Sequence, residues 1–277
     1  MTAIDGPGHF PALPHAVDLG QPGIARTYSY LAGGKDHFAA DRELAEAILA
    51  ARPQAPLAVR ENRRFLARAV EFLTAEAGIR QFLDIGAGLP AGQNVHEVAQ
   101  AIEPSSRVAY VDIDPMVIAH ARALMPSGPA GRVGCLQGDL RDPAAILAAP
   151  VTRDVLDLGQ PTALLLLTVL PFVPDEAGPG QAISVLLDAL PTGSYIAASH
   201  PTAEHDPQGV AAVSQAYRKA GIPVQFRDSD EFARLAFPGL ELIPPGVVPV
   251  SQWRPASGET LPSAAEVSCY AGVARKP

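Results

Sequence analysis

Residues 81–88 read QFLDIGAG, a short apolar run followed by two glycines. The run predicts a buried strand, which the acidic residue Asp84 interrupts near its end. Gly86 and Gly88 would let the chain turn tightly, without Cβ atoms, beside a ligand. Because ligands of open parallel sheets bind outside the carboxyl ends of the strands, we expect a binding site directly after this strand.

The segments around this strand alternate between strand and helix patterns. Apolar runs predict further strands at 107–111, 133–137, 163–170 and 194–199. Such alternation is typical of a mostly parallel, doubly wound sheet with helices on both faces. The runs at 240–250 and 267–273 have no helix between them, which predicts an antiparallel edge strand. The predicted fold class is therefore α/β, with a Rossmann-like, seven-stranded sheet.

The 277 residues are expected to form a single domain, 1–277, because no linker or internal repeat divides the chain. Glycines and prolines predict an irregular arm over 1–23. Amphipathic patterns predict an N-terminal helical cap over 24–75, and the predicted core occupies 76–277.

Two helices make up most of the predicted cap. Asp41 is expected to be the N-cap of the first, which Pro53 and Pro56 end. Apolar positions at helical spacing predict the second over 59–73. Several arginines lie in its first turns, where the helix dipole makes a positive charge unfavourable. This unfavourable placement suggests that one of these arginines binds an anion.

Composition and charge exclude several classes of function. The net charge of −8 argues against a nucleic-acid partner, because phosphate binding needs a basic face. No apolar run reaches the roughly 20 residues of a membrane span. The N-terminus also lacks the order of a signal peptide, so we expect a cytoplasmic protein without a membrane partner. Cys135 and Cys269 have no CxxC spacing, and we expect neither a disulfide nor a metal site.

The glycine spacing after the strand argues against phosphate ligands. A dinucleotide fingerprint requires G-x-G-x-x-G, but here the third glycine, Gly92, comes one residue late. Pro90 also interrupts the entry into the helix whose N–H groups would bind a pyrophosphate. No Gly-Lys-[Ser/Thr] sequence occurs in the chain, so the P-loop signature is absent.

Three acidic residues lie at the carboxyl ends of successive predicted strands. Asp84 would attract a cation such as an α-ammonium. Asp112 comes 24 residues after Gly88 (112 − 88), where doubly wound folds place the acid that binds a ribose hydroxyl. Asp139 suits an exocyclic adenine amine. An ammonium, a ribose and an adenine together describe S-adenosylmethionine, which is the predicted cofactor.

These motifs resemble those of the class I S-adenosylmethionine-dependent methyltransferases. DIGAG at 84–88 resembles their first motif, VD at 111–112 their second, and GDL at 138–140 their adenine-contacting segment. More narrowly, the chain is similar to a functionally uncharacterised actinobacterial S-adenosyl methyltransferase family. The most specific part of that resemblance is ARTYSYLAGGKD at 25–36.

The resemblance implies which residues bind the cofactor. They are Asp84, Gly86, Ala87, Gly88, Asp112, Ile113, Asp139, Leu140, Thr168, Arg60, Arg63, Tyr30 and Gly33. In related carboxyl methyltransferases, an arginine ahead of the glycine strand holds the cofactor carboxylate. Either Arg60 or Arg63 could fill that role through a bidentate ion pair.

Methyl transfer needs a general base only where the nucleophile arrives protonated. His200, at the carboxyl end of a predicted strand, is the first catalytic candidate, and Tyr28 and His96 come next. Pro171 stands where the family pattern leads us to expect a histidine, so a base at that position is not expected.

The predicted function is an S-adenosylmethionine-dependent methyltransferase that acts on the O or N nucleophile of a small molecule. The alternative is a non-catalytic protein that holds S-adenosylmethionine or its demethylated product as a sensor or partner. A nicotinamide oxidoreductase is a third possibility, which the glycine spacing disfavours. The sequence sets no expectation for the oligomeric state.

Overall fold

The computed structural model describes residues 18–277, so most of the predicted irregular arm, residues 1–17, lies outside the described part of the chain. One sheet contains the strands β1 (Gln81–Ile85), β2 (Arg107–Asp112), β3 (Arg132–Gln137), β4 (Ala163–Leu167), β5 (Tyr195–Pro201), β6 (Glu241–Leu242), β7 (Val248–Pro249) and β8 (Cys269–Arg275).

The sheet has the order β3-β2-β1-β4-β5-β8-β6, with β7 also paired to β8. Strands β1 to β5 are parallel, and β8 is antiparallel to β5, β6 and β7. The predicted α/β fold with a mostly parallel sheet is confirmed. The edge differs in detail, because the two-residue strands β6 and β7 both pair with the edge of β8 opposite β5 and bring the sheet to eight strands. Pro244 and Pro245 lie between them, and proline cannot donate to a strand ladder.

The helices are α1 (Ile24–Leu31), α2 (Ala39–Ala51), α3 (Ala55–Ala75), α4 (Val95–Ile102), α5 (Pro115–Leu124), α6 (Pro143–Ala148), α7 (Pro150–Val155), α8 (Pro179–Asp188), α9 (Pro207–Lys219), α10 (Ser229–Ala236) and α11 (Ala264–Val267). The sequence patterns do not predict α7 and α11, which have only six and four residues. Across residues 18–277, no helix combines the length and apolar character that a membrane crossing requires.

Alternate residues of each strand pack against opposite layers of helices, as the two-residue period of a strand requires. In β1, Phe82 joins a cluster with α3, α4 and α5, whereas Leu83 and Ile85 join a second cluster with α6, α8 and α10. Asp84 therefore points to the α3 side of the sheet. The same alternation places Asp112 on that side, because Val111 packs into the second cluster.

Helices α1 and α2 pack with the start of α3 and with α9 around a third, smaller cluster of buried residues. Two boundaries in this region differ from the sequence prediction. Helix α2 begins at Ala39, so Asp41 is not its N-cap; the Asp41 carboxylate accepts a hydrogen bond from the Phe38 N–H at 2.7 Å. Pro56 does not end α2 but lies in the first turn of α3, where its missing N–H would have no helical partner.

A buried ion-pair network joins these helices to the sheet. Arg26 Nε donates to the Asp41 carboxylate at 2.9 Å, and Arg26 Nη1 donates to Asp114 Oδ2 at 3.1 Å. Asp41 also accepts from the Gly23 N–H at 2.7 Å. Asp114 caps α5 directly after β2, so Arg26 links α1 and α2 to the carboxyl end of β2, beside Asp112.

Candidate functional site

A cavity of about 460 Å³ lies at the carboxyl ends of β1, β2, β3 and β4. Helices α1, α2, α3, α9 and α11 also contribute residues to its walls. Strands β1 and β4 are neighbours in the sheet although β2 and β3 separate them in sequence, so the strand order reverses at this point. Doubly wound sheets bind their ligands at such switch points. The cavity thus lies where residues 81–88 predict a ligand site.

The turn after β1 is shaped by its two glycines. Gly86 has φ +78°, and a Cβ atom there would lie 2.8 Å from the Val169 side chain. Gly88 has φ +69°, and its N–H donates to Asp112 Oδ2 at 2.9 Å. A side chain at Gly86 would be both strained and obstructed, so glycine is required where the turn meets the cavity. Ala87, between them, also lines the cavity.

Asp84 presents a buried carboxylate to the cavity. Only 4% of the residue is exposed, and among residues 18–277 no group donates a hydrogen bond to it. Burial raises the pKa of Asp84 to about 7, with a further increase from Asp112 and a partial decrease from Arg63. A buried carboxylate without donors is costly unless a cation meets it, so this position favours a positively charged ligand group.

Asp112 is also buried, but the chain itself holds its carboxylate. Oδ2 accepts from the Gly88 N–H at 2.9 Å and Oδ1 from the Asp114 N–H at 2.9 Å. Burial raises the pKa of Asp112 to about 6, although these hydrogen bonds oppose the increase. Each carboxylate oxygen can accept a second bond. The carboxylate is therefore held in place with free acceptor capacity toward the cavity.

Arg63 and Arg60, the two alternatives for binding a carboxylate, lie in different places on α3. Arg63 lines the cavity, and its Nη2 donates to the Gly92 carbonyl at 3.0 Å. Its charge also lowers the pKa of Asp84. Arg60 is exposed and is not part of the lining. The structure thus retains Arg63 as a cofactor candidate and removes Arg60.

The loops after β2 and β3 form another part of the lining. Ile113 lines the cavity and is 54% exposed although it is apolar. Leu140 also lines the cavity and is buried. Asp139 is paired with Arg141, whose Nε donates to its carboxylate at 2.9 Å, and this pair lowers the pKa of Asp139. Arg141 lines the cavity too, a contribution that the sequence patterns did not indicate.

Thr168 follows β4 with φ +53°, a left-handed conformation that is uncommon for a residue with a branched Cβ. Its N–H donates to the Ser199 carbonyl at 3.1 Å, which holds the turn against β5. Thr168 lines the cavity together with Val169. Strained residues of this kind concentrate at functional sites.

A chain of hydrogen bonds crosses from β5 to α1 at the cavity wall. Ser199 Oγ donates to Asn62 Oδ1 at 2.6 Å, and Asn62 Nδ2 donates to the Tyr28 hydroxyl at 3.1 Å. The Tyr28 hydroxyl in turn donates to the Val59 carbonyl at 3.3 Å. Sequence reasoning missed Asn62, which lines the cavity, and Ser199, which holds Asn62 in place. Their polar side chains at otherwise buried positions were the available signal, because buried polar groups need partners.

Comparison with protein families identifies the chain. A family profile described as S-adenosyl methyltransferase matches residues 11–277. The chain belongs to the S-adenosyl methyltransferase family. The enzyme class and the cofactor, S-adenosylmethionine, are therefore those predicted from the acids and the glycine turn. No curated protein sequence matches the chain significantly.

Solved structures show the same relationship. A DUF574 family protein from Streptomyces avermitilis is 44% identical, with 94% of this chain and 99% of that chain covered and a TM-score of 0.89. A candidate methyltransferase from Thermobifida fusca is 39% identical over 94% and 96% of the two chains, with a TM-score of 0.86. The plantazolicin methyltransferase BamL, at 11% identity and a TM-score of 0.53 over 91% and 95%, shares the fold alone.

Two predicted cofactor residues of this methyltransferase lie away from the cavity. Tyr30 directs its hydroxyl to Glu46 on α2 and packs edge-on against His37, and it is not part of the lining. Gly33 has φ +79° and follows the C-terminus of α1, where no neighbouring atom crowds it. Tyr30 contacts α2, and Gly33 lies in the connection between α1 and α2. These positions correct the prediction that both residues contact the cofactor.

The position of His200 also argues against its predicted role as the catalytic base of the methyltransferase. It is fully buried and is not part of the cavity lining. Its Nδ1 lies 2.7 Å from the Pro201 carbonyl and its Nε2 lies 3.1 Å from Arg227 Nη1. Burial lowers the pKa of His200 to about 4, so the ring is neutral and both nitrogens are engaged. His200 follows Ser199 on β5 and therefore points to the opposite side of the sheet, against Phe232.

The other candidate bases are no better placed. His96 lies outside the lining, where its Nδ1 pairs with the Tyr110 hydroxyl at 2.9 Å. Tyr28 lines the cavity, but burial raises its pKa to about 12, which leaves the phenol protonated at neutral pH. Tyr28 therefore stays a catalytic candidate by its position in the lining, but a protonated phenol does not favour its predicted role as a base.

Replacing His200 with Ala is expected to lower stability by about 2–3 kcal/mol, because the buried Arg227 loses a hydrogen-bond partner and a cavity forms. Affinity for S-adenosylhomocysteine should change by less than about twofold, since His200 does not reach the cavity. Urea unfolding and calorimetric titration measure the two effects. The matched control is His205→Ala, which removes an exposed histidine. It should change the free energy of unfolding by no more than about 0.5 kcal/mol. Unchanged stability with lost methyl transfer would restore His200 as a catalytic candidate.

Proposed function

We propose that this methyltransferase transfers the methyl group of S-adenosylmethionine to an O or N nucleophile of a small molecule. The observation that carries the proposal is the Asp84 carboxylate, buried at the cavity without a hydrogen-bond donor from residues 18–277. A cofactor with an α-ammonium group supplies the missing cation at that position.

The other parts of the cofactor have matching groups in the lining. Arg63 is available for the α-carboxylate, and Asp112 has acceptor capacity for the ribose hydroxyls. Ile113 and Leu140 offer apolar surfaces for the adenine ring, with Asp139 beside them for its amine. The lining therefore offers a candidate group for each part of S-adenosylmethionine.

Bound S-adenosylmethionine supplies an electrophilic methyl group with a good leaving group. The chain's own contribution is to bind, orient and exclude water, which can lower a barrier by about 7–11 kcal/mol. Among residues 18–277, the carboxylates of the lining, Asp84, Asp112 and Asp139, are assigned to the cofactor. Burial raises the pKa values of the remaining candidates, Tyr28 and Cys269, to about 12, so neither is a general base near neutral pH. We infer that the acceptor atom carries a free lone pair before it binds.

Calorimetric titration with S-adenosylmethionine tests the cofactor part of the proposal, and absence of binding would overturn it. Formation of S-adenosylhomocysteine across a panel of small oxygen and nitrogen nucleophiles tests the transfer. Tight cofactor binding with no product from any panel member would favour the non-catalytic sensor instead.

Affinity for S-adenosylhomocysteine is expected to rise about tenfold between about pH 6 and pH 8. The cofactor ammonium needs an ionised Asp84, whose pKa is raised to about 7, so protons compete with the ligand at the lower pH. Asp112, with a pKa of about 6, acts in the same direction. Titrations in buffers of different ionisation enthalpy would also detect proton release at the lower pH. An affinity independent of pH would contradict the assignment of Asp84.

A further inference from the structure

The cavity extends beyond the groups that fit the cofactor into an apolar chamber. Its walls include Ile48, Val59, Phe172, Val210, Val213 and Phe226. Residues of α3 line the cavity at helical spacing from Ala55 to Leu66, so the cavity runs along this helix. The chamber is therefore suited to an acceptor with a largely apolar body.

Charged side chains are unevenly distributed along the cavity. Within residues 18–277, the charged residues of the lining are Arg63, Asp84, Asp112, Asp139 and Arg141, which fit or flank the cofactor, together with Arg52. Arg52 directly follows α2 and lies three residues before Ala55, the first residue of α3, whereas Arg63 lies eight residues beyond Ala55 on that helix. At 1.5 Å per residue, Ala55 and Arg63 are about 12 Å apart along α3. The contacts of Arg52 are with Ala265 on α11 and Asp206 at the start of α9, whereas Arg63 lies near the loop after β1.

Arg52 is buried, with 8% of the residue exposed, and its hydrogen bonding is incomplete. Its Nη2 donates to the Ala265 carbonyl at 3.1 Å, but in the described part of the chain no acceptor bonds to the buried Nε–H. The nearest carboxylate oxygen, Asp206 Oδ2, lies 3.5 Å from Nε. Asp206 is more than one-third exposed and already caps α9 through the Gly209 N–H, so it compensates the buried charge only in part.

We propose that Arg52 binds a carboxylate group of the methyl acceptor, whose apolar body fills the chamber between Arg52 and the cofactor. This inference rests on the proposed function and names its substrate class, an apolar carboxylic acid. A single guanidinium suits a carboxylate, which carries one charge. A phosphate dianion would need further cations, and the chamber end of the lining provides none among residues 18–277.

The test uses the full-length protein saturated with S-adenosylhomocysteine and three probe acids: phenylpropanoate, phenylpentanoate and phenyloctanoate. Each acid is compared with its primary amide by calorimetric titration. We expect at least one acid to bind about tenfold more tightly than its amide, because the guanidinium forms a charge-assisted bond with the carboxylate alone. Arg52→Gln should abolish this preference, and Arg52→Lys should retain part of it.

A second variant makes the test independent of any folding defect at Arg52. Asp206→Asn keeps a side chain that caps α9 but removes the negative charge 3.5 Å from Arg52. Binding of the acids should therefore tighten by about threefold or more, with the amides unaffected. Equal binding of acids and amides, no binding of any probe, or an unchanged preference in Arg52→Gln would overturn the proposal. Affinity for S-adenosylhomocysteine, measured separately, reports on the proposed function alone.

Discussion

Replacing Asp84 with Asn is expected to reduce affinity for S-adenosylhomocysteine by at least about a hundredfold and, at the same time, to stabilise the free protein near pH 8. The first effect follows because the amide cannot neutralise the cofactor ammonium. The second follows because the free protein no longer buries a carboxylate that lacks hydrogen-bond donors from residues 18–277. The two changes have opposite signs, which a general folding defect could not produce.

The pH dependence of the stability change has a defined sign. The pKa of Asp84 rises from 3.8 in the unfolded chain to about 7 in the folded protein, so the folded state binds the proton more tightly. Stability is therefore lost as the pH rises from about 4 to about 7, by up to about 4 kcal/mol. A neutral amide, which itself lacks partners, should recover about half of that loss above pH 7 and none of it below about pH 4.

Thermal unfolding of the free proteins at several pH values, with titrations of S-adenosylhomocysteine, measures both effects of Asp84→Asn. Asp188→Asn is the matched control, because Asp188 is an exposed carboxylate at the end of α8. This control should change neither the stability of the free protein nor its affinity for S-adenosylhomocysteine. Retained affinity in Asp84→Asn would show that the cofactor ammonium binds elsewhere.

Replacing Arg26 with Met is expected to destabilise the protein by about 3–5 kcal/mol. The substitution keeps most of the side-chain volume but leaves the fully buried Asp41 carboxylate without its guanidinium. It also breaks the bond at 3.1 Å to Asp114, the contact that ties α1 to the carboxyl end of β2. We therefore expect weaker binding of S-adenosylhomocysteine as well, since Asp112 lies beside this contact.

Urea unfolding of Arg26→Met, with Arg42→Met as an exposed control on the same cap, measures the loss. The control should stay within about 0.5 kcal/mol of the original protein. A double variant, Arg26→Gln with Asp41→Asn, replaces the ion pair with neutral hydrogen-bonding groups and should regain part of the stability. A double variant that is less stable than Arg26→Met would show that the charges themselves are required.

Sequence periodicity alone could also have placed several site residues on the correct side of the sheet. Asp84, Asp112 and Ser199 lie on the α3 side, at alternating positions that the apolar neighbours in each strand define. His200 is one residue further than Ser199 and therefore points away from the cavity. The carboxyl end of a parallel strand identifies the segment that meets a ligand. The alternation of side chains along the strand then decides which of two adjacent residues faces that ligand.

Local chemistry in the sequence determined the alternation of strands and helices, the glycine turn after β1 and the ordered acids, because each depends on neighbouring residues. Contacts between distant segments were decided only by the tertiary structure. Arg63 reaches the cavity while Arg60, less than one turn of α3 away, faces solvent. Arg52 acquires its role only when α2, α9 and α11 meet around it. Burial also moves the pKa of Asp84 to about 7, because desolvation depends on the packing of the whole chain and not on the residues beside it in sequence.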